Sequence, residues 1–110
     1  DSIMLTVEIH ELAIQKASEA TAHYLDTVGE HPFNCGFAWV TANVKGNTKV
    51  GKSFIAQGFE KSYNGGFQIW NPSNNYTQDV GAKMAGADAY VQTVKQFIPE
   101  APLYTGSRLD

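Results

Sequence analysis

The sequence predicts an α+β fold: a four-stranded antiparallel sheet, two helices packed on one face of it, and an added N-terminal helix. Three observations carry this expectation. Residues 36–44 alternate strictly, with Ala38, Val40, Ala42 and Val44 on one face and Phe37, Trp39, Thr41 and Asn43 on the other. Asn64-Gly65 sits between two short strand-like runs and reads as a hairpin. Val80, Met84, Ala87, Val91, Val94 and Ile98 recur at spacings of three and four, which is the stripe of a long helix.

The elements follow in order. Residues 2–28 read as a helix, from Leu5, Ile9, Leu12, Ala13, Ala17, Ala20, Tyr24 and Val28, with Ser2 or Thr6 as cap and Gly29 as stop. Its stripe is rich in alanine, so another element can approach closely. After a linker at His31-Pro32-Phe33-Asn34 comes the alternating strand. Thr48 caps a short helix to residue 57, with Val50 and Phe54 inward and Gly58 as terminator. Residues 59–63 and 66–70 are the hairpin strands. A polar loop follows, in which Asn75 with Gln78 reads as a capping-box variant opening a helix over 77–97. Ala82, Gly86 and Ala89 give that helix a second, small-residue face, and Pro99 ends it. A last strand covers 103–109. From residue 35 the order is strand, helix, strand, strand, helix, strand, the ferredoxin-like βαββαβ order. The expected organisation is one domain over 1–110, with 1–29 as the N-terminal helix and 35–110 as the α+β core.

Composition sets the classes of function. The chain has 110 residues, 43% hydrophobic and 17% charged, enough for one core. A net charge of −3 counts against a nucleic-acid backbone as main partner. A single cysteine excludes an intrachain disulfide and suits a reducing compartment. No apolar run is long enough to span a bilayer, and the N-terminus lacks the basic-then-apolar pattern of a signal peptide.

Five constellations could carry chemistry. Gly46-Asn47-Thr48-Lys49-Val50-Gly51-Lys52-Ser53 fits the phosphate-loop pattern, in which Lys52 would reach the outer phosphates and Ser53 would ligate magnesium. No apolar strand ending in Asp is at hand to hold that metal, so a plain strand–turn–helix corner is the expected reading. Cys35 follows His31 by four residues, the pattern of a histidine-activated thiol, although a lone cysteine at a strand start is more often core. Zinc would need more ligands than this pair, and no metal is expected. Asn71 and Gln78 flank the start of the long helix and could hold a polar ligand. Arg108 near the chain end could clamp a carboxylate or phosphate.

The last constellation is the second sheet face, where alternation gathers Phe37, Trp39, Thr41, Gln68 and Trp70. Single-strand RNA binders stack bases on such a face. An open aromatic patch of this size is a liability or a binding surface. The N-terminal helix is the expected cover, with a homodimer as the alternative, and Trp39 is expected to be largely buried.

At Cys35 to Val40 (CGFAWV), Gly51-Lys52, Gly65 to Pro72 (GGFQIWNP), Gln78 and Ser107 to Asp110 (SRLD), the chain resembles a group of small uncharacterised tailed-bacteriophage proteins, marine ones among them. The resemblance covers roughly Cys35 to the end. It implies work in the cytoplasm of an infected bacterial host and carries over no catalytic residue. The expectation is a small phage accessory protein, non-enzymatic and without a cofactor. It would bind a host protein or small ligand through Trp39, Lys52, Trp70, Asn71, Gln78 or Arg108. The alternatives are a small enzyme using Cys35 with His31, or Lys52 with Arg108, and a nucleotide or single-stranded RNA binder.

Overall fold

The computed structural model describes residues 4–110; the expected helix start at Ser2 lies outside the described residues. The elements, numbered in chain order, are α1 (Val7–Thr27), β1 (Gly36–Ala42), α2 (Lys49–Ala56), β2 (Glu60–Lys61), β3 (Phe67–Trp70), α3 (Val80–Phe97) and β4 (Leu103–Leu109). The strands form one antiparallel sheet in the order β2-β3-β1-β4. An α+β chain with a four-stranded antiparallel sheet is therefore what the sequence folds into.

Local chemistry explains the boundaries. Thr6 caps α1, its hydroxyl accepting from the Ile9 N–H. Gly29 closes it in a left-handed conformation, its N–H returning to the Leu25 carbonyl. Thr48 caps α2 in the same manner through the Gly51 N–H. The hairpin turns through Ser62 to Gly66: Gly65 takes the left-handed position and the Ser62 N–H donates to the Gly66 carbonyl. This is a three-residue loop with glycine at its αL position, in place of the two-residue Asn-Gly turn.

The start of α3 differs from expectation. Its cap is Asp79, whose Oδ1 accepts from the N–H groups of Gly81 and Ala82. Asn75 instead accepts from the Thr77 N–H, and Gln78 is exposed. Thr77 and Gln78 are both held by the Glu30 carboxylate: the Thr77 hydroxyl and the Gln78 N–H donate to it. A buried aspartate satisfies two orphan donors at once, which neither Asn75 nor Gln78 reaches.

The helix layer also differs. α3 packs on β1 and β4, and its main neighbour is α1. The alanine stripe of α1 meets the small-residue face of α3. Ala13, Ala17 and Thr21 are fully buried there, and the Thr21 hydroxyl donates to the Ala82 carbonyl at 2.7 Å. Gly86 permits the approach: a Cβ on it would lie 2.6 Å from Thr21 Oγ1 and 2.7 Å from Ser73 Cβ. α2 stands at the periphery and reaches the core through Phe54, which meets Phe59 edge-on. Three helices therefore share the layer in place of two.

The core is closed by Tyr90, which the helical stripe did not single out. It is fully buried, and its hydroxyl lies 2.7 Å from His10 Nδ1. Burial pushes the phenol pKa up and lowers that of His10, the latter against an opposing pull from Glu11. Both groups are thus held neutral and hydrogen-bonded to each other.

Candidate functional site: the open face of the sheet

Alternation divides the sheet. Ala38, Val40 and Ala42 of β1 point into the core and are fully buried. The residues between them point the other way, and register builds a second surface around them. Trp39 pairs with Trp70 of β3 and with Gly106 of β4; Thr41 pairs with Gln68 and Tyr104; Phe37 pairs with Arg108.

None of the three helices crosses this surface. The expectation that α1 would cover it is overturned, because the small faces of α1 and α3 complement each other and α1 stays on the helix side. Trp39 is half-buried, Phe37 is 37% exposed and Trp70 45%. The burial that Trp39 does have comes from its neighbours in the sheet. Its ring centroid is 4.9 Å from that of Trp70, and a Cβ at Gly106 would lie 2.6 Å from its indole nitrogen. Phe37 meets Trp70 edge-on at 6.0 Å.

Above the sheet lies a groove of about 470 Å³, in the range of small-molecule sites. Its floor holds Trp39, Gln68 and Trp70 together with Thr41, which is only 4% exposed. One wall is the β2–β3 hairpin with Lys61 and Tyr63; the other is β4, with Tyr104 and Arg108. Both ionisable side chains of the lining that are charged at neutral pH are cations, and no carboxylate lines it. Glu60 pairs with Gln68 and so turns to the same face at the outer margin of the groove, while Lys61 pairs with Phe67, which packs on the core, and borders the groove at the hairpin. Two cations also flank Phe37: Arg108 Cζ lies 5.6 Å from its ring centroid and Lys83 Nζ 5.3 Å.

Of the residues singled out in the sequence, the groove brings together Trp39, Trp70 and Arg108. It leaves out Lys52, Asn71, Gln78, Cys35 and His31. Lys52 is exposed on α2. The phosphate-loop pattern serves the corner itself. The Gly51 N–H is spent on the Thr48 cap, and the Ser53 hydroxyl donates to the Val50 carbonyl while accepting from the Leu5 N–H. Asn71 turns the chain with a left-handed φ of 45°, its amide donating to the Asn75 carbonyl. The Cys35 thiol donates to the Pro32 carbonyl, while His31 is engaged through its backbone N–H, which donates to Asp79 Oδ2 at 2.7 Å. Sequence reasoning missed Tyr104, Gly106 and Lys61; alternation along residues 103–109 placed the first two on this face.

Among the described residues no group of three or more His, Cys, Asp or Glu could hold a metal ion, and no helix is long and apolar enough to cross a membrane. Compared with protein-family models, curated proteins and solved structures, the chain matches none.

Proposed function

We propose that the protein is a non-enzymatic accessory protein that binds a small, flat ligand on the open face of its sheet. The observation that carries this reading is the aromatic floor at Trp39 and Trp70, which no helix of the chain covers. Exposed contiguous aromatic surface on a small domain costs solubility, and a partner that stacks on it offsets that cost. The groove's size suits a small molecule, and its polar groups are few and convergent, as ligand sites usually are.

The finer description of β1 to β4 as a ferredoxin-like unit belongs with this proposal. The βαββαβ order supports it, and α1 is then an addition that braces α3. The resemblance of Cys35 to Asp110 to small tailed-phage proteins supports a place of action in the cytoplasm of an infected bacterium.

The chain has two tryptophans, so its amide spectrum holds two indole N–H signals. Titration of the ¹⁵N-labelled protein with a library of planar aromatic fragments tests the proposal. Movement of both indole signals by a subset of fragments, in a monomeric protein, is the expected result. A dimer whose tryptophans are shielded from acrylamide and unmoved by every fragment would overturn it, since the face would then be an interface between copies.

A further inference from the structure

We infer that the ligand of this groove is a nucleoside phosphate: a planar base stacked on the indoles, with its phosphate held by Arg108. This deepens the reading of the open face as a ligand site and rests on it.

The argument begins from charge. Acidic residues outnumber basic ones by 11 to 8 across the chain, yet among the described residues the groove lining holds Lys61 and Arg108 and no acid; Glu60, beside Gln68, stands at the β2 edge of the face, across the sheet from Arg108 on β4. A third cation, Lys83, stands beside Phe37 at the same end of the surface, its ammonium donating to the Gly36 carbonyl. Among the described residues the single ion pair is Lys16 with Glu19, on the far side of α1. Among the described residues none of Arg108, Lys61 and Lys83 has a carboxylate within ion-pair distance. Asp110 follows at the chain end, where its backbone N–H is bonded to the Cys35 carbonyl.

The second strand of the argument is shape. A lone anion would leave the indoles unused, and a neutral ring would leave Arg108 unused. A ring joined to an anion uses both. Trp70, the more exposed indole, offers a stacking face. Gln68 and Thr41 lie in the floor beside it, and an amide with a donor and an acceptor matches the edge of a base. Arg108 stands on β4, two residues along from Gly106, the position that faces Trp39. Its guanidinium fork suits phosphate oxygens. A free mononucleotide and a nucleotide within single-stranded RNA present this same chemistry.

The test uses the intact chain and the two indole signals. The probes are 5′-AMP, adenosine, inorganic phosphate and an eight-nucleotide single-stranded RNA. 5′-AMP is expected to move both indole signals, adenosine to bind about tenfold more weakly, and phosphate alone to move neither. Arg108→Ala should weaken 5′-AMP about tenfold and leave adenosine unchanged; Arg108 is exposed, so the variant keeps its fold, and Arg108→Gln provides a second check. RNA bound more tightly than 5′-AMP, with the same dependence on Arg108, supports the chemistry and assigns its source to the polymer. Equal binding of 5′-AMP and adenosine, or indifference to Arg108→Ala, would overturn the inference while leaving the flat-ligand reading in place. If aromatic fragments as well as nucleotides leave both indoles unmoved, the two readings fall together.

Discussion

The indole of Trp39 occupies the space that a side chain at residue 106 would need. The two residues face each other across β1 and β4, and a Cβ on Gly106 would come within 2.6 Å of the ring. Gly106→Val should therefore lift the indole off the sheet. The expected cost is about 1–3 kcal/mol, the range for overpacking a filled site. Urea denaturation measures the loss, and a red shift in tryptophan emission reports the displaced ring.

The α1–α3 interface makes a second prediction. Gly86→Ala places a methyl group against Thr21 and Ser73, both fully or almost fully buried, and neither can swing away. About 1–3 kcal/mol should be lost. Thr21→Val keeps the shape and removes only the hydroxyl that donates to Ala82, for which about 1 kcal/mol is expected. Similar losses for the two variants in thermal melts would show that the close approach of the helices is not the controlling feature.

How much of this was legible in the residues is clear from the same interface. The alanine stripe of α1 and the small face around Ala82 and Gly86 both stand out in the sequence. Their mutual fit does not, because periodicity reveals which face is small and says nothing of which distant face it meets. Read alone, the stripe of α1 fits the aromatic side of the sheet equally well. The residues of the aromatic face were legible, since alternation in β1 and β3 fixes which side each takes, but that α1 leaves it uncovered was not. β4 was legible to its ends. Asp79 was passed over although an aspartate directly before Val80 is a local cap signal; what no local pattern encodes is its second tie, to the His31 N–H 48 residues away.

Asp79 ties three segments together. Burial opposes its ionisation, and the N–H groups of His31, Ala82 and Gly81 outweigh that, holding its pKa below the ordinary value. Asp79→Ala should cost about 2–3 kcal/mol, more than a surface cap, because it strands buried donors. Asp79→Asn keeps one acceptor and should cost less. The order of the two midpoints in urea checks this.

Stability should fall in acid in two stages. His10 has its pKa lowered in the folded protein, so its neutral form is favoured there while the unfolded chain takes up a proton near 6.5. Its contribution is complete above that value and is lost as pH falls through it toward the folded pKa. Asp79 adds a second loss only below about 3.8, as pH falls through its own depressed value. Denaturation free energies from pH 8 to 3 should show a plateau, then a decline beginning near 6.5. His10→Asn, which can still hydrogen-bond Tyr90, should flatten the first stage and leave the second.

Cys35 should behave as an ordinary thiol. It is half-buried, it donates to the Pro32 carbonyl, and its own carbonyl is bonded to the Asp110 N–H. Iodoacetamide at neutral pH should modify the native protein no faster than free cysteine. A rate tenfold above that would return His31 and Cys35 to consideration as a nucleophilic pair.

The docking of α1 against α3 also bears on how the chain matures as it leaves the ribosome. Thr21 waits for Ala82, 61 residues later, and His10 waits for Tyr90, 80 residues later. Until those residues emerge, α1 has no surface to bury its alanine stripe against, and an isolated helix of 21 residues with few stabilising side-chain pairs is marginal in water. α1 is thus made well before the element that secures it. While the residues between them are made, the nascent chain carries α1 unshielded, a state in which exposed apolar surface favours association between chains.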